Sequence, residues 1–275
     1  MDINEAADRL PMANVICVLG MHRSGTSVLT RVLNLLGMDL GPASQLMPPT
    51  KFNPRGFWEH QGIVRINDEI LARLGGTWRD VPQFPDGWES SPAMQDLREE
   101  AEALVKRDFA NALTWGWKDP RTCITVPFWQ NIIGAMRYLV CLRNPLEVVR
   151  SLEHTMPFAH GAWLWLAYTR GVLNHTRGLP RMLVFYEDFM ASVEQELPRL
   201  AAFLGSPDSA RQPEVRAAVL DFVEDGLHHQ RSSPQNAAID ERLGDETRRL
   251  FTILRLRASL GQLRFRHGLL REAEA

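Results

Sequence analysis

Arg23-Ser24-Gly25-Thr26-Ser27 gathers one guanidinium, three hydroxyls and a glycine at the start of what reads as a helix. At a helix N-terminus the first backbone N–H groups lack partners and the helix dipole is positive, and small side chains let an oxyanion approach the main chain. Phosphate binding is the chemistry this composition serves. The nucleoside-triphosphatase loop G-x-x-x-x-G-K-[ST] has a lysine directly after its second glycine. Here Gly20 and Gly25 keep the glycine spacing, but Thr26 stands in the lysine's place and the cation precedes the glycine as Arg23. A strand-to-helix turn without a ligand is the competing reading.

Five further side chains could do chemistry. Arg143 and Ser151 stand eight positions apart (143 to 151), a guanidinium able to grip phosphate oxygens with two parallel bonds and a hydroxyl that adds a third donor. Alone, Arg143 reads as a strand-end arginine pairing a carboxylate and Ser151 as a solvent-facing helix residue. Lys118 lies in Trp115-Gly-Trp-Lys-Asp-Pro-Arg121, and Asp119 is suited to cap a helix beginning at Pro120. Glu59 follows the aromatic pair Phe57-Trp58, an apolar wall of the kind that raises a carboxylate's pKa toward that of a useful base. His60 stands beside it. Both Glu59 and His60 could instead be ordinary helix-start residues.

These groups need a scaffold of strands running into helices. Val15–Leu19 is a continuous apolar run, as a buried parallel strand should be, and Val28–Leu36 has helical periodicity ending at Gly37. Arg137–Leu142 and the run from Arg181 into Tyr186-Glu-Asp188 read as further buried strands, and a short apolar strand is expected before Trp115. Helices are expected over about Ile63–Leu74, Phe158–His175 and Val193–Leu204, the last ending at Gly205. The alternation predicts an α/β fold, a central parallel sheet flanked by helices. Residues 42–53 and 75–92 are irregular, and their prolines, glycines and tryptophans are placed to shape a cleft for an acceptor.

The order Arg-Ser-Gly-Thr-Ser, followed by Arg143 and Ser151, resembles the sulfotransferases that use 3′-phosphoadenosine-5′-phosphosulfate (PAPS). The resemblance is dense from Val15 to Leu36, moderate over 115–152 and 181–204, and weak elsewhere. It implies the P-loop-like sulfotransferase fold, with Arg23, Ser24, Gly25, Thr26 and Ser27 on the 5′-phosphosulfate and Arg143 with Ser151 on the 3′-phosphate. Lys-Asp-Pro is similar to a motif of protein-tyrosine sulfotransferases, which makes Lys118 a candidate to neutralise charge on the leaving phosphate. Tyr186 in Tyr186-Glu-Asp188 resembles a family signature and is a candidate adenine contact, or else a core aromatic. Arg231 is a candidate late basic residue near the 3′-phosphate, or else a surface arginine.

Sulfuryl transfer needs a base for the acceptor hydroxyl, and Glu59 resembles the glutamate that protein-tyrosine sulfotransferases carry after the first helix. The implied product is 3′,5′-ADP (PAP) and no metal is required. The implied acceptor is a hydroxyl of a carbohydrate or glycolipid, with tyrosine or another phenol behind it. Two rivals stand beside this reading. One is a P-loop small-molecule or nucleotide kinase, with Glu187 and Asp188 on a metal. The other is a non-catalytic nucleotide-binding protein of the same fold.

The chain has 275 residues, 45% hydrophobic and 23% charged, ample for one globular domain over 1–275. Within it, residues 1–13 read as a tail and 238–272 as an arginine-rich amphipathic helix able to pack on its own domain or to pair in a homo-oligomer. A net charge of −2 gives no overall basic signal for nucleic acid. Cys17, Cys123 and Cys141 form an odd set with no metal-ligand spacing, so neither disulfides nor zinc are expected. No apolar run approaches the roughly 18 residues of a membrane span, and the N-terminus lacks a signal-peptide pattern. A soluble, cytoplasmic bacterial type is expected.

Overall fold

The computed structural model describes residues 13–50, 56–224, 238 and 240–258. They group into two compact units, one drawn from 1–142 and 168–229, the other from 143–167 and 230–275.

The first unit is built on four parallel strands, β1 (Asn14–Leu19), β2 (Thr114–Lys118), β3 (Arg137–Leu142) and β4 (Arg181–Phe185), in the order β2-β1-β3-β4. Leu19 pairs with Val140 on one side, and on the other Val18 pairs with Lys118. The chain leaves β1 to build first one side of the sheet and then the other. The loop after β1 therefore lies at the carboxyl end of the strands where the order reverses, the usual ligand crevice of open α/β sheets.

β2 corrects the sequence reading. The strand does not precede Trp115 but contains it, because the Trp-Gly-Trp-Lys run itself pairs with β1. A side chain at Gly116 could not fit, since a β-carbon there would lie 2.1 Å from the Ile16 carbonyl oxygen. Trp115 and Trp117 share a face, as alternate strand residues must. Trp115 stacks on Phe109 of α3 (Gln95–Phe109), and Trp117 packs on Trp129 of α4 (Thr122–Ile133) at 5.3 Å between ring centres. The opposite face of the sheet, with Ile16, Val18, Leu139 and Val184, buries Leu29, Val32 and Leu33 of α1 (Thr26–Leu35). Leu197, Leu200 and Leu204 of α8 (Val193–Leu204) and Val219 of α9 (Pro213–Glu224) complete that layer. Full burial of each such side chain contributes about 1.5–3 kcal/mol. The strands end where the site residues begin.

Three elements remain in the first unit or lead out of it. α2 (Gln61–Arg73) matches the expected helix after Glu59, α6 (Phe158–His175) has the expected bounds, and α7 (Tyr186–Ala191) carries Glu187 and Asp188 in its first turn. Acidic residues there complement the helix dipole.

In the second unit, α5 (Pro145–Leu152) starts at Asn144, whose Oδ1 accepts from the Leu146 amide at 3.0 Å. Trp165 donates from Nε1 to the Arg143 carbonyl and packs edge-on against Phe251. The arginine-rich segment is not one uninterrupted helix from 238. Asp240 has extended backbone and accepts from the Arg242 amide, a 3-10 turn covers Glu241–Leu243, and Gly244 precedes a helix, α10, over 245–258.

Candidate active site

The loop after β1 is shaped by its own glycines and by thiols beneath it. A β-carbon at Gly20 would lie 2.6 Å from the Cys141 carbonyl oxygen, so only glycine lets the loop pass over β3. The Gly20 amide donates to Cys123 Sγ at 3.1 Å, and Cys141 Sγ donates to the Ser24 carbonyl at 3.0 Å. Burial pushes the Cys123 thiol up, which keeps it protonated. Arg23 has φ +68° and Gly25 φ +87°, and Gly25 is the N-cap of α1. No side chain caps this helix and no acidic residue lies in its first turn, so its N-terminus keeps its affinity for an anion.

The ring of Tyr186 lies directly over Gly25. The tyrosine that follows β4 is thus part of the loop's wall as well as of the core layer.

Lys118, the last residue of β2, is buried and donates from Nζ to Ser27 Oγ at 3.2 Å and to Glu59 Oε1. One strand end therefore joins the phosphate-type loop to the candidate base. Glu59 reaches this position from a short pairing in which its carbonyl accepts from the Met47 amide at 2.8 Å and Leu46 bridges His60. Trp58, just before it, has φ +57°, and the Arg31 guanidinium lies 4.6 Å over its ring. Arg23 and Trp58 are the non-glycine residues in the left-handed region among the described residues. Such conformations cost on the order of 1–3 kcal/mol and persist where surrounding structure holds them.

Burial pushes the Glu59 carboxyl above the usual carboxylate range, with Lys118 pulling it partly back down and the nearby Asp119 adding to the rise. A carboxylate of raised proton affinity beside a fixed cation can accept a proton from a hydroxyl and hold it.

Behind this pair is a polar hub that the sequence did not announce. Asn67 of α2 donates from Nδ2 to Asp119 Oδ2 at 2.7 Å and to Thr122 Oγ1 at 3.1 Å. Its Oδ1 accepts from Thr125 Oγ1 at 2.7 Å and Trp129 Nε1 at 2.9 Å. Asp119 also accepts from the Arg121 amide and guanidinium, and Arg121 reaches on to Asp68. α4 begins at Thr122, two residues after Pro120, and Asp119 organises the turn before it.

His60 takes a different role from its neighbour. Its Nε2 is paired with Asp108 at 3.0 Å, its ring packs near Phe109, and burial lowers its pKa. It caps the start of α2, as its competing reading had it, but it is buried against α3 rather than exposed. His22, between Gly20 and Arg23, is sandwiched by aromatic rings, 4.3 Å from Trp78 and 5.9 Å from Tyr168 between centres. Tyr168 in turn donates to the Trp78 carbonyl at 2.8 Å, tying the irregular 75–87 segment to this end of the sheet.

Within the second unit, Arg143 is ion-paired to Glu147 at 2.7 Å, and Ser151 follows one turn further along α5. Glu147 and Ser151 are four apart on α5 and so share a helix face, while Arg143 lies just before the cap residue Asn144. Arg231 lies outside the described residues. Among those residues no group of His, Cys, Asp or Glu side chains is placed to hold a metal ion, and no helix is long and apolar enough to cross a membrane.

The sulfotransferase domain of the curacin biosynthetic pathway is 16% identical, covers 88% of this chain and 98% of its own, and gives a TM-score of 0.52, a likeness of fold. The sulfotransferase domain of the Synechococcus PCC 7002 olefin synthase is 19% identical over 90% of this chain and 97% of its own, at a TM-score of 0.49. Ubiquitin conjugation factor E4 A of Bos taurus is 27% identical over 186 residues, 64% of this chain; the match spans only 16% of that longer protein. A model of the sulfotransferase family matches residues 15–210, from the first residues of β1 through the loop, the Lys118 strand and the Tyr186 turn, and by that match the chain belongs to the sulfotransferase family.

Proposed function

We propose that this chain transfers the sulfuryl group of 3′-phosphoadenosine-5′-phosphosulfate to an acceptor hydroxyl, most fittingly of a carbohydrate or glycolipid. The observation that carries the reading is the contact of Lys118 Nζ with both Ser27 Oγ and the Glu59 carboxylate. In this reading it sets a fixed cation between a loop that takes the phosphosulfate and a buried carboxylate that acts as base. In this reading Glu59 takes the proton of the acceptor hydroxyl as its oxygen bonds to sulfur. The bond from sulfur to the 5′-phosphate oxygen breaks and its electron pair leaves on the phosphate. Arg23, Lys118 and the amides at the start of α1 stabilise that charge. Tyr186 walls the loop where the nucleotide would lie, and Arg143 with Ser151 takes the 3′-phosphate.

Calorimetric titration with 3′,5′-ADP, against 5′-AMP and Mg-ATP, tests the donor. Binding of 3′,5′-ADP that the other two do not match, and that Arg143→Ala loses, is the expected result. Equal binding of all three would remove the 3′-phosphate from the argument and favour a kinase. With the donor established, labelled PAPS offered to carbohydrate, glycolipid and phenolic acceptors identifies the acceptor class.

A further inference from the structure

His22 holds a buried Nε2 atom with no hydrogen-bond partner, in a loop whose other polar groups face an anion in the proposed reaction. A buried polar atom left unpaired is costly, and native interiors rarely tolerate one without a reason. Trp78 packs on the ring at a tilt of 36° and Tyr168 meets it edge-on, so it is held between two aromatic side chains.

The charges around it identify the missing partner. Burial, together with the positive charges of Arg121, Lys118, Arg23 and Arg79, holds the imidazole well below the usual histidine range. The ring is therefore neutral and carries one N–H. An orphaned Nε2 in a loop built to receive an anion is matched if it carries the ring's proton and donates it to that anion. The carboxylates nearby, Glu59, Asp119 and Asp68, are engaged by Lys118 and Arg121, and Nε2 is bonded to none of them.

We propose that His22 donates a hydrogen bond from Nε2–H to a sulfuryl oxygen of the donor, alongside Arg23 and Lys118. The inference rests on the sulfotransferase reading and adds to it a neutral donor at the transferring group. A neutral imidazole is suited to this place because a fifth cation would hold the donor's ground state as tightly as the transition state. A hydrogen bond to one sulfuryl oxygen instead fixes the orientation of the group for in-line attack, without adding charge. His22 is not the base, because a ring held neutral by four cations has little proton affinity.

Nitrogen-15 NMR of the wild-type protein tests this directly. Expected is a neutral His22 ring with its proton on Nε2 across about pH 6 to 8, whose Nε2–H resonance moves on addition of PAPS or sulfate but not chloride. His22→Phe assigns that resonance. In kinetics, His22→Phe should lower turnover on the order of a hundredfold, with 3′,5′-ADP binding unchanged because that product lacks the sulfuryl group, and His22→Gln, which restores an N–H, should recover part of the loss. A bare Nε2, a resonance blind to sulfate and PAPS, or wild-type turnover in His22→Phe would each overturn the proposal. The NMR arm needs no variant to fold beyond the assignment, for which His22→Gln can substitute. Failure of the wild type to bind 3′,5′-ADP would instead overturn the sulfotransferase reading, and the sulfate titration would still judge His22.

Discussion

Gly25 and Tyr186 meet so closely that a β-carbon on the glycine would lie 2.1 Å from Tyr186 Cδ2. The glycine is required twice, once by this contact and once by its φ of +87°. Gly25→Ala should abolish binding of 3′,5′-ADP, measured by calorimetry. Adding Tyr186→Ala removes the clash and leaves only the left-handed backbone cost, about 1–2 kcal/mol. The double variant should unfold at a higher temperature than Gly25→Ala alone.

The Lys118–Glu59 pair is nearly inaccessible to water, with side chains 2% and 8% exposed. Removing one partner strands the other, so Lys118→Met or Glu59→Leu alone should destabilise by about 3–5 kcal/mol. Replacing both with apolar residues should restore much of that stability while leaving no turnover. Denaturant unfolding of the two single variants and the double variant measures this, and additive losses would show that the charges are not coupled.

Acid should reveal Glu59. Its folded pKa is raised above the unfolded value by burial, so protonation favours the fold. Its contribution to stability is complete below the unfolded value of about 4.3 and is lost as pH rises through the folded value. Glu59→Gln removes this dependence, visible as a difference between the two stability curves against pH. Turnover runs the other way, because the base must be ionised. The acid limb of the rate profile should lie above the ordinary carboxylate range and disappear with the residual activity of Glu59→Gln.

Asn67 should matter more than its place in a helix suggests. Asn67→Ala strips Trp129 Nε1 and Asp119 Oδ2 of the Asn67 bonds they make, both buried groups, while Thr122 keeps Trp117 Nε1 and Thr125 keeps the Arg121 carbonyl. A loss of about 3 kcal/mol or more is expected from thermal or denaturant unfolding. Turnover should fall further than stability explains, since Asp119 directly follows Lys118.

Much of this was legible in the chain because burial writes itself as hydrophobic pattern. β3, α6 and α8 have the bounds their apolar runs indicate, β4 stops at Phe185 because Tyr186 already opens α7, and Gly25 precedes α1 in the left-handed backbone that glycine allows. β2 was displaced because its pattern is carried by two tryptophans around a glycine and ends in a buried lysine, a residue that composition assigns to the surface. Asn67 and His22 left no signal at all. A polar residue on a helix face, or between a loop's glycine and its arginine, looks the same in sequence whether it meets water or a network. Their roles depend on what tertiary structure brings against them, Asp119 and Trp129 in one case and Trp78 in the other.

The two sulfur contacts beneath the loop, Cys123 to Gly20 and Cys141 to Ser24, also make the protein its own clock. Both thiols are sealed under the segment they hold. A small alkylating reagent reaches them only during the brief intervals when that segment lifts, so the labelling rate counts those openings. Anything that settles on the loop slows the count, whichever end of the nucleotide it carries. Occupancy can thus be read from native cysteines, without a reporter group and without knowing the acceptor.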